Sequence, residues 1–192
     1  MGVNLRTLTY YVGTSIDGYI AGPNGEIDFY PLADDMAADL NTQFPETVPT
    51  HIRTRIGLDA PNQRFDTVVM GRGTYEPALD IGVPSPYAHL RQYVVSSTIK
   101  SIDDPAVELV PGDPLGLVRR LKQEDGMGIW LCGGGSLAAA LLPEIDELVI
   151  KNYPVVAGSG ISAFDGEFRP TVFTLTGTRT FSNGAVVLTY TR

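Results

Sequence analysis

The sequence predicts an α/β fold of three layers: a mostly parallel central sheet, helices on both faces, and antiparallel strands added at one edge by the tail. Three observations carry this. Apolar, β-rich runs alternate with helix-periodic segments from Leu8 to Leu142. Several of those runs end in Gly or Ser directly before a helix start. The tail from Val172 to Thr191 then alternates around Ser182-Asn183-Gly184, a hairpin signal that belongs to antiparallel pairing. At 192 residues, with no linker, repeat or low-complexity tract, the chain is expected to form one domain spanning 1–192.

Leu8 to Ser15 reads as the opening strand, followed by Asp17-Gly18 and the loop Ala21-Gly22-Pro23-Asn24-Gly25. Met36, Leu40 and Phe44 recur every four residues and predict a helix stopped by Pro45. Glu46 to Gln63, rich in Pro, Thr and Arg, carries no clear period. Phe65 to Met70 is a strand, Thr74 to Leu79 a short helix, Gln92 to Ser96 a strand and Val107 to Val110 another. Leu115, Val118 and Leu121 mark one face of a helix ending around Gly126. Ile129 to Cys132 is a buried strand, Ser136 to Leu142 a compact apolar helix, and Leu148 to Val156 a strand broken by Pro154.

A composition of 43% hydrophobic and 19% charged residues is that of a globular protein. The net charge of −8 argues against a nucleic-acid partner, because phosphate backbones call for a basic patch. The densest basic cluster, Arg119, Arg120 and Lys122, lies within an amphipathic helix. With one cysteine, Cys132, and two histidines, His51 and His89, that are not at ligand spacing, no metal site is expected. No apolar run reaches membrane-spanning length, so no membrane partner is expected. Met1 to Arg6 shows no signal-peptide core, and Arg6 stands where a myristoylation motif has Ser or Thr, so the expected location is cytoplasmic.

Chemistry concentrates at three strand-to-helix junctions. Gly133-Gly134-Gly135 precedes the helix that starts at Ser136. Glycines there let backbone approach a ligand, and free N–H groups at a helix start favour an anion such as pyrophosphate. The alternative is a tight turn packed on a neighbouring strand, although three glycines exceed what a turn needs. At Val69-Met70-Gly71-Arg72-Gly73-Thr74 a guanidinium and a hydroxyl stand at the second helix start, and Arg72 can engage two phosphate oxygens at once. It can equally be a surface arginine on a solvated helix end. Val94-Val95-Ser96-Ser97-Thr98 ends a strand in three hydroxyls. Ligands of open α/β sheets bind outside the carboxyl ends of strands, where all three junctions lie.

Two further patterns lack their context. Gly158-Ser159-Gly160-Ile161-Ser162-Ala163 matches a loose dinucleotide pattern, but no helix follows it. Gly134-Gly135-Ser136-Leu137-Ala138 resembles a nucleophile elbow, yet both histidines precede Ser136, against the order of α/β-hydrolases. A serine hydrolase is the weakest of the alternatives. With no metal site, activated cysteine or triad, the reactivity is expected to come from a bound cofactor.

The three junctions, in this order, resemble the dihydrofolate reductase-like superfamily, and in particular stand-alone relatives of the reductase domain of riboflavin biosynthesis. Ser15-Ile16-Asp17-Gly18-Tyr19-Ile20-Ala21 is similar to that family's first strand and loop. Val69 to Glu76 is similar to its most distinctive signature, and Gly133 to Leu137 to its glycine turn. Asp146-Glu147-Leu148 and Pro154 to Gly160 resemble its late strand and loop. The resemblance implies NADPH as cofactor, with Gly13 and Ile20 flanking the nicotinamide. Gly71, Arg72 and Thr74 would hold phosphates, and Ser96 and Ser97 would lie near the adenosine 2′-phosphate. Gly133, Gly134, Gly135, Ser136 and Leu137 would meet the pyrophosphate and the nicotinamide side. It also implies a small-molecule substrate and a homodimer.

The departures bear on substrate. No zinc deaminase motif is present, Ile27-Asp28-Phe29-Tyr30 replaces a Trp-Ile-Thr segment, and Cys132 stands where the family places an acidic residue before the glycines. The implied activity is hydride transfer to a C=N or C=O carbon of a pterin-, pyrimidine- or sugar-derived molecule. A non-catalytic NADPH- or ligand-binding protein on the same fold is the alternative. Dihydrofolate reductases carry one carboxylate on the first helix, where Asp34 and Asp35 stand, although a helix start favours acidic pairs in any case. With His51, His89 and Cys132 poorly placed, Asp34 is the candidate proton donor, its pKa expected to be raised by burial.

Overall fold

In a computed structural model describing residues 5–192, the elements follow the order β1 (Leu8–Thr14), β2 (Tyr19–Ala21), α1 (Asp34–Gln43), α2 (Thr50–Ile56), β3 (Phe65–Gly71), α3 (Arg72–Asp80), β4 (Arg91–Val95), β5 (Val107–Val110), α4 (Pro114–Lys122), β6 (Gly128–Gly133), α5 (Gly135–Leu141), β7 (Glu147–Asn152), β8 (Ile161–Ser162), β9 (Thr174–Thr180) and β10 (Val186–Thr191). Met1 to Asn4, the start of the segment searched for targeting signals, lie outside the described residues. No helix among the described residues is long and apolar enough to cross a membrane, and they hold no cluster of metal-ligating side chains.

Eight strands form one sheet in the order β5-β4-β3-β6-β1-β7-β10-β9. From β5 to β7 every neighbouring pair is parallel; β10 joins β7 antiparallel and β9 joins β10 in the same way. This is the mostly parallel sheet with antiparallel tail expected from sequence. The hairpin closes at the expected turn, with Gly184 at φ 81° and its N–H donated to the Phe181 carbonyl.

Alternation along each strand sorts the core into two layers, because successive side chains leave opposite faces of the sheet. Leu8, Tyr10, Val12, Ile129, Leu131 and Leu148 pack on one face against Leu117, Val118 and Leu121 of α4 and Leu137, Ala138 and Leu141 of α5. Tyr11, Val68, Met70, Trp130, Val149 and Val187 pack on the other, against Met36 and Phe44 at α1 and Tyr75 of α3. Parallel strands buried on both faces need this double cover.

The structure departs from the sequence expectations in the short or non-periodic segments. β2 and β8 form a separate two-stranded ladder. α4 stops at Lys122, short of Gly126, where φ is 153°. β7 ends at Asn152, before Pro154.

The stretch from Glu46 to Gln63 is organised by one carboxylate. Glu46 is fully buried and accepts backbone N–H bonds from Gln63 (3.1 Å), Arg64 (2.7 Å) and Phe65 (2.7 Å). Its own carbonyl accepts from His89 Nε2 (2.8 Å), while His89 Nδ1 faces the Thr50 hydroxyl (3.0 Å). α2 buries none of its residues, so it has no apolar stripe for a periodicity to reveal. Glu46→Ala would leave three backbone donors without their acceptor at about 1–3 kcal/mol each. Urea denaturation should therefore show a loss of at least about 3 kcal/mol, and an unchanged midpoint would show that the segment is held by other contacts.

Candidate active site at the carboxyl edge of the sheet

β4, β3, β6 and β1 are consecutive in the sheet and parallel, so their carboxyl ends lie side by side. β3 runs straight into α3 and β6 into α5 through Gly134. Neither helix has a side-chain cap, and both present free amide groups to this edge. The two turns touch. A Cβ built on Gly71 would sit 3.4 Å from Gly133 O and Gly134 N, so at this point backbone packs on backbone.

Gly134 is the open position. A Cβ there would meet only Ile20 Cδ1 and Thr74 Oγ1, each at 3.8 Å, and its φ of −94° is accessible to any residue. Ile20, Thr74 and Gly134, widely separated in sequence, thus face one space. Gly133 has φ 138°, a conformation that favours glycine, and packs near Thr74 Oγ1; the Gly133–Gly134 peptide is cis. Gly135 is glycine for a packing reason: a side chain there would collide with the Ser162 carbonyl, and its own carbonyl accepts from Asp165 N (3.1 Å). Leu137 is buried in the core, its Cβ 3.7 Å from where a Cβ on Gly71 would sit.

At the β4 end, Arg72 reaches across to donate from Nη1 to Thr98 Oγ1 at 3.2 Å, with Glu76 one turn along its own helix, 3.7 Å from Nε. Ser96 is buried and its hydroxyl accepts from Thr98 N (3.2 Å) and Ile99 N (3.0 Å), shaping the turn that exposes Ser97 and Thr98. Arg72, Ser97 and Thr98 therefore share a patch one strand away from the glycine turns, while Ser96 is occupied in building it.

The first loop closes over this edge from the other side. Asp17 accepts from Ala157 N (2.9 Å) and Gly158 N (2.7 Å); the Ser15 side chain above all, with these two amides, holds its carboxyl well below the usual carboxylate range. Ile16 N donates to Val155 O and Ala163 N to Gly18 O, so the loop carrying Ile20 is tied to the segment that carries β8.

Comparison with known proteins decides the family. The family model described as the RibD C-terminal domain matches residues 6–187. The chain belongs to the RibD C-terminal domain family. It is 33% identical over 189 residues to the uncharacterised protein YwjB of Bacillus subtilis, covering 97% of this chain and 98% of that one. It is also 29% identical over 187 residues to YyaP of the same organism, covering 96% and 94%. A crystal structure of a protein assigned to riboflavin biosynthesis from Shewanella sp. PV-4 superposes with TM-score 0.71 at 24% identity, covering 97% of this chain and 98% of that one. A Thermotoga maritima diaminohydroxyphosphoribosylaminopyrimidine deaminase/5-amino-6-(5-phosphoribosylamino)uracil reductase gives TM-score 0.64 at 14% identity, covering 97% of this chain and 56% of that one. These two show the dihydrofolate reductase-like fold.

Within this RibD C-terminal fold, the far side of the first loop is aromatic. A Cβ on Gly13 would point at Tyr153 Cε2 (3.2 Å), Tyr30 Cε2 (3.8 Å) and Lys151 Cε (3.9 Å), three groups that sequence reading did not assign to the site. Tyr30 stacks on Tyr153 with centroids 4.5 Å apart, and its hydroxyl lies 3.0 Å from Tyr19 O and 3.2 Å from Gly13 O. The signal for Lys151 was a lysine closing the apolar run Leu148-Val149-Ile150.

The burial expected of Asp34 is absent. Met36 faces the core, and a residue two positions earlier on a helix points about 200° away, leaving Asp34 exposed with no hydrogen bond. Asp35 instead caps the hairpin turn, accepting from Ser182 N and Oγ (both 2.8 Å), which lowers its pKa. Ser136 donates to Asp165 Oδ2 at 3.1 Å and no histidine is bonded to it, so the serine-hydrolase arrangement is not assembled. Burial pushes the Cys132 thiol up to about 12, which keeps it protonated and unreactive.

Gly134→Val should fold normally, because its backbone angles suit valine, but fill the space between Ile20 and Thr74. Titration of NADPH followed by cofactor fluorescence should show binding abolished at an unchanged thermal midpoint. Wild-type affinity in the variant would remove this turn from the site.

Proposed function

We propose that this chain is an NADPH-dependent reductase that delivers hydride to a C=N or C=O carbon of a small pyrimidine-, pterin- or sugar-derived molecule. The observation that carries the reading is the contact of two uncapped strand-to-helix turns, Gly71 against Gly133–Gly134, beside a space faced by Ile20 and Thr74. Amides at such turns suit a dinucleotide's diphosphate, and Arg72 with Ser97 and Thr98, one strand away, suits a further phosphate. Gly133 to Leu137 and Thr74 would hold the cofactor's phosphates, and Gly13 and Ile20 would border its nicotinamide. When bound, NADPH supplies the hydride; the protein positions it, keeps water out and furnishes a proton.

The substrate class draws on the family and on the name of the Thermotoga relative, which is a 5-amino-6-(5-phosphoribosylamino)uracil reductase. NADPH consumption with that compound and with dihydrofolate tests the reading. Turnover of either supports it. Tight NADPH binding without turnover of any C=N or C=O compound would favour the alternative, a cofactor- or ligand-binding protein. Cys132, in the place of an acidic residue, and the exposure of Asp34 are the observations on that side.

Cofactor choice gives a sharper test. A hydrogen bond to a charged group is worth about 1.5–3 kcal/mol, so Arg72→Ala should weaken NADPH roughly ten- to a hundredfold and NADH much less. Equal loss for both cofactors would show that Arg72 does not read the 2′-phosphate.

A further inference from the structure

Lys151 is a cation that the fold does not use. It sits at the carboxyl end of β7, paired in register with Gly13 of β1 and Val187 of β10. Alternation places it on the face where Val149 and Val187 are buried, a position suited to an apolar residue. Its Nζ lies 4.1 Å from the centroid of the Tyr11 ring, and its Cε borders the face of Gly13, which Tyr153 and Tyr30 also border. No ion pair or hydrogen bond to Lys151 occurs among the described residues, whereas Lys122 engages Glu144 and Asp146. The one sealed, unpartnered side-chain nitrogen among them is Arg6 Nη1, so the Lys151 ammonium keeps access to solvent or to a ligand.

An ammonium held among tyrosines without a carboxylate is costly, and a cation–π contact offsets only part of that cost. A methionine would pack there more cheaply, so the charge points to something outside the chain. Resting on the reductase reading above, we propose that Lys151 is the proton donor of this site. Its ammonium faces the heteroatom of a planar C=N or C=O substrate held among Tyr11, Tyr30 and Tyr153, beside Gly13. The substrate carbon takes hydride from NADPH, forming a C–H bond and leaving NADP+. The π electron pair moves onto nitrogen or oxygen, which takes a proton from Nζ. The neutral amine then regains its proton from water.

The surroundings suit an acid that works near neutral pH. Burial lowers the Lys151 pKa, opposed by Tyr153 just after its strand and Cys132 on β6. Tyr11 on β1 lies against its ammonium, and Tyr30 in the first loop stands behind Tyr153. Asp39, Glu46 and Arg179 act on Tyr11 beyond them. Because the donor must be protonated, turnover should fall as pH rises through the Lys151 pKa, and that fall should come earlier than for a free lysine.

The chain has three lysines, Lys100, Lys122 and Lys151, so protein labelled with 13C at lysine Cε should give three side-chain NMR signals. The signal missing from Lys151→Met should titrate below the range of a free lysine and should move when NADP+ is added, while the signal of Lys100 does not move on that addition. A Lys151 signal that titrates as a free lysine, or ignores NADP+ that binds, overturns the proposal whether or not a substrate is in hand. With 5-amino-6-(5-phosphoribosylamino)uracil turned over by the wild type, Lys151→Met should keep its NADPH Kd within about twofold and lose roughly 10²–10⁴ in kcat. Lys151→Arg, which keeps the charge but holds its proton, should recover KM and not kcat. A retained kcat in Lys151→Met overturns the lysine assignment alone. Failure of the wild type to bind NADPH overturns the reductase reading itself, and the proton donor with it.

Discussion

Two parallel strands, β3 and β6, lie next to each other and leave the sheet at the same edge, where backbone packs on backbone. That contact, Gly71 against the Gly133–Gly134 peptide, sets the spacing of α3 and α5 on opposite faces of the sheet. It also aligns two helix starts toward a common space, which one strand end alone does not do. Bulk at this point would push the helices apart and close the space that Ile20 and Thr74 share with Gly134. Packing and the candidate site therefore draw on the same few backbone atoms.

The glycine triplet shows how far that sharing goes. Gly133 is required by its backbone angle and Gly135 by the Ser162 carbonyl pressed against it, so both serve the fold. Gly134 has ordinary angles and open space, and it is the one of the three whose missing side chain leaves room beside Ile20 and Thr74. The first loop depends on the same arrangement. Asp17 binds Ala157 and Gly158, β2 pairs with β8, and the segment after β8 bonds Gly135 through Asp165 N. Loop, glycine turn and late segment thus form one connected rim around the carboxyl edge.

How much of this could be read from sequence follows from where the information lies. The inner parallel strands were legible because they are apolar-rich runs buried on both faces of the sheet, and the hairpin because Asn183-Gly184 supplies the turn it needs. β2 and β8 were not legible: they are three and two residues long and exist only through pairing across the chain. α2 was hidden because it buries nothing, and the segment around it is set by Glu46, a carboxylate whose partners lie seventeen to nineteen residues away. The glycine-turn half of the candidate site was visible because helix starts and glycines are local signals. The tyrosine and lysine half was not, since Tyr30, Tyr153 and Lys151 meet only over the face of Gly13. Asp34 was favoured for its place on the first helix, and that helix's own rotation, fixed by Met36, turns it to solvent.

The central claim is that the adjoining ends of β4, β3 and β6, with the first loop over them, bind NADPH. Amide hydrogen exchange with and without the cofactor tests it most directly, because it reports on backbone groups whether or not turnover occurs. The account predicts that NADPH slows exchange at Arg72 to Thr74, at Ser97 and Thr98, and at Gly133 to Leu137. Exchange on the outer strand β9 should be unchanged. Protection that falls elsewhere, or none at saturating NADPH, would contradict it.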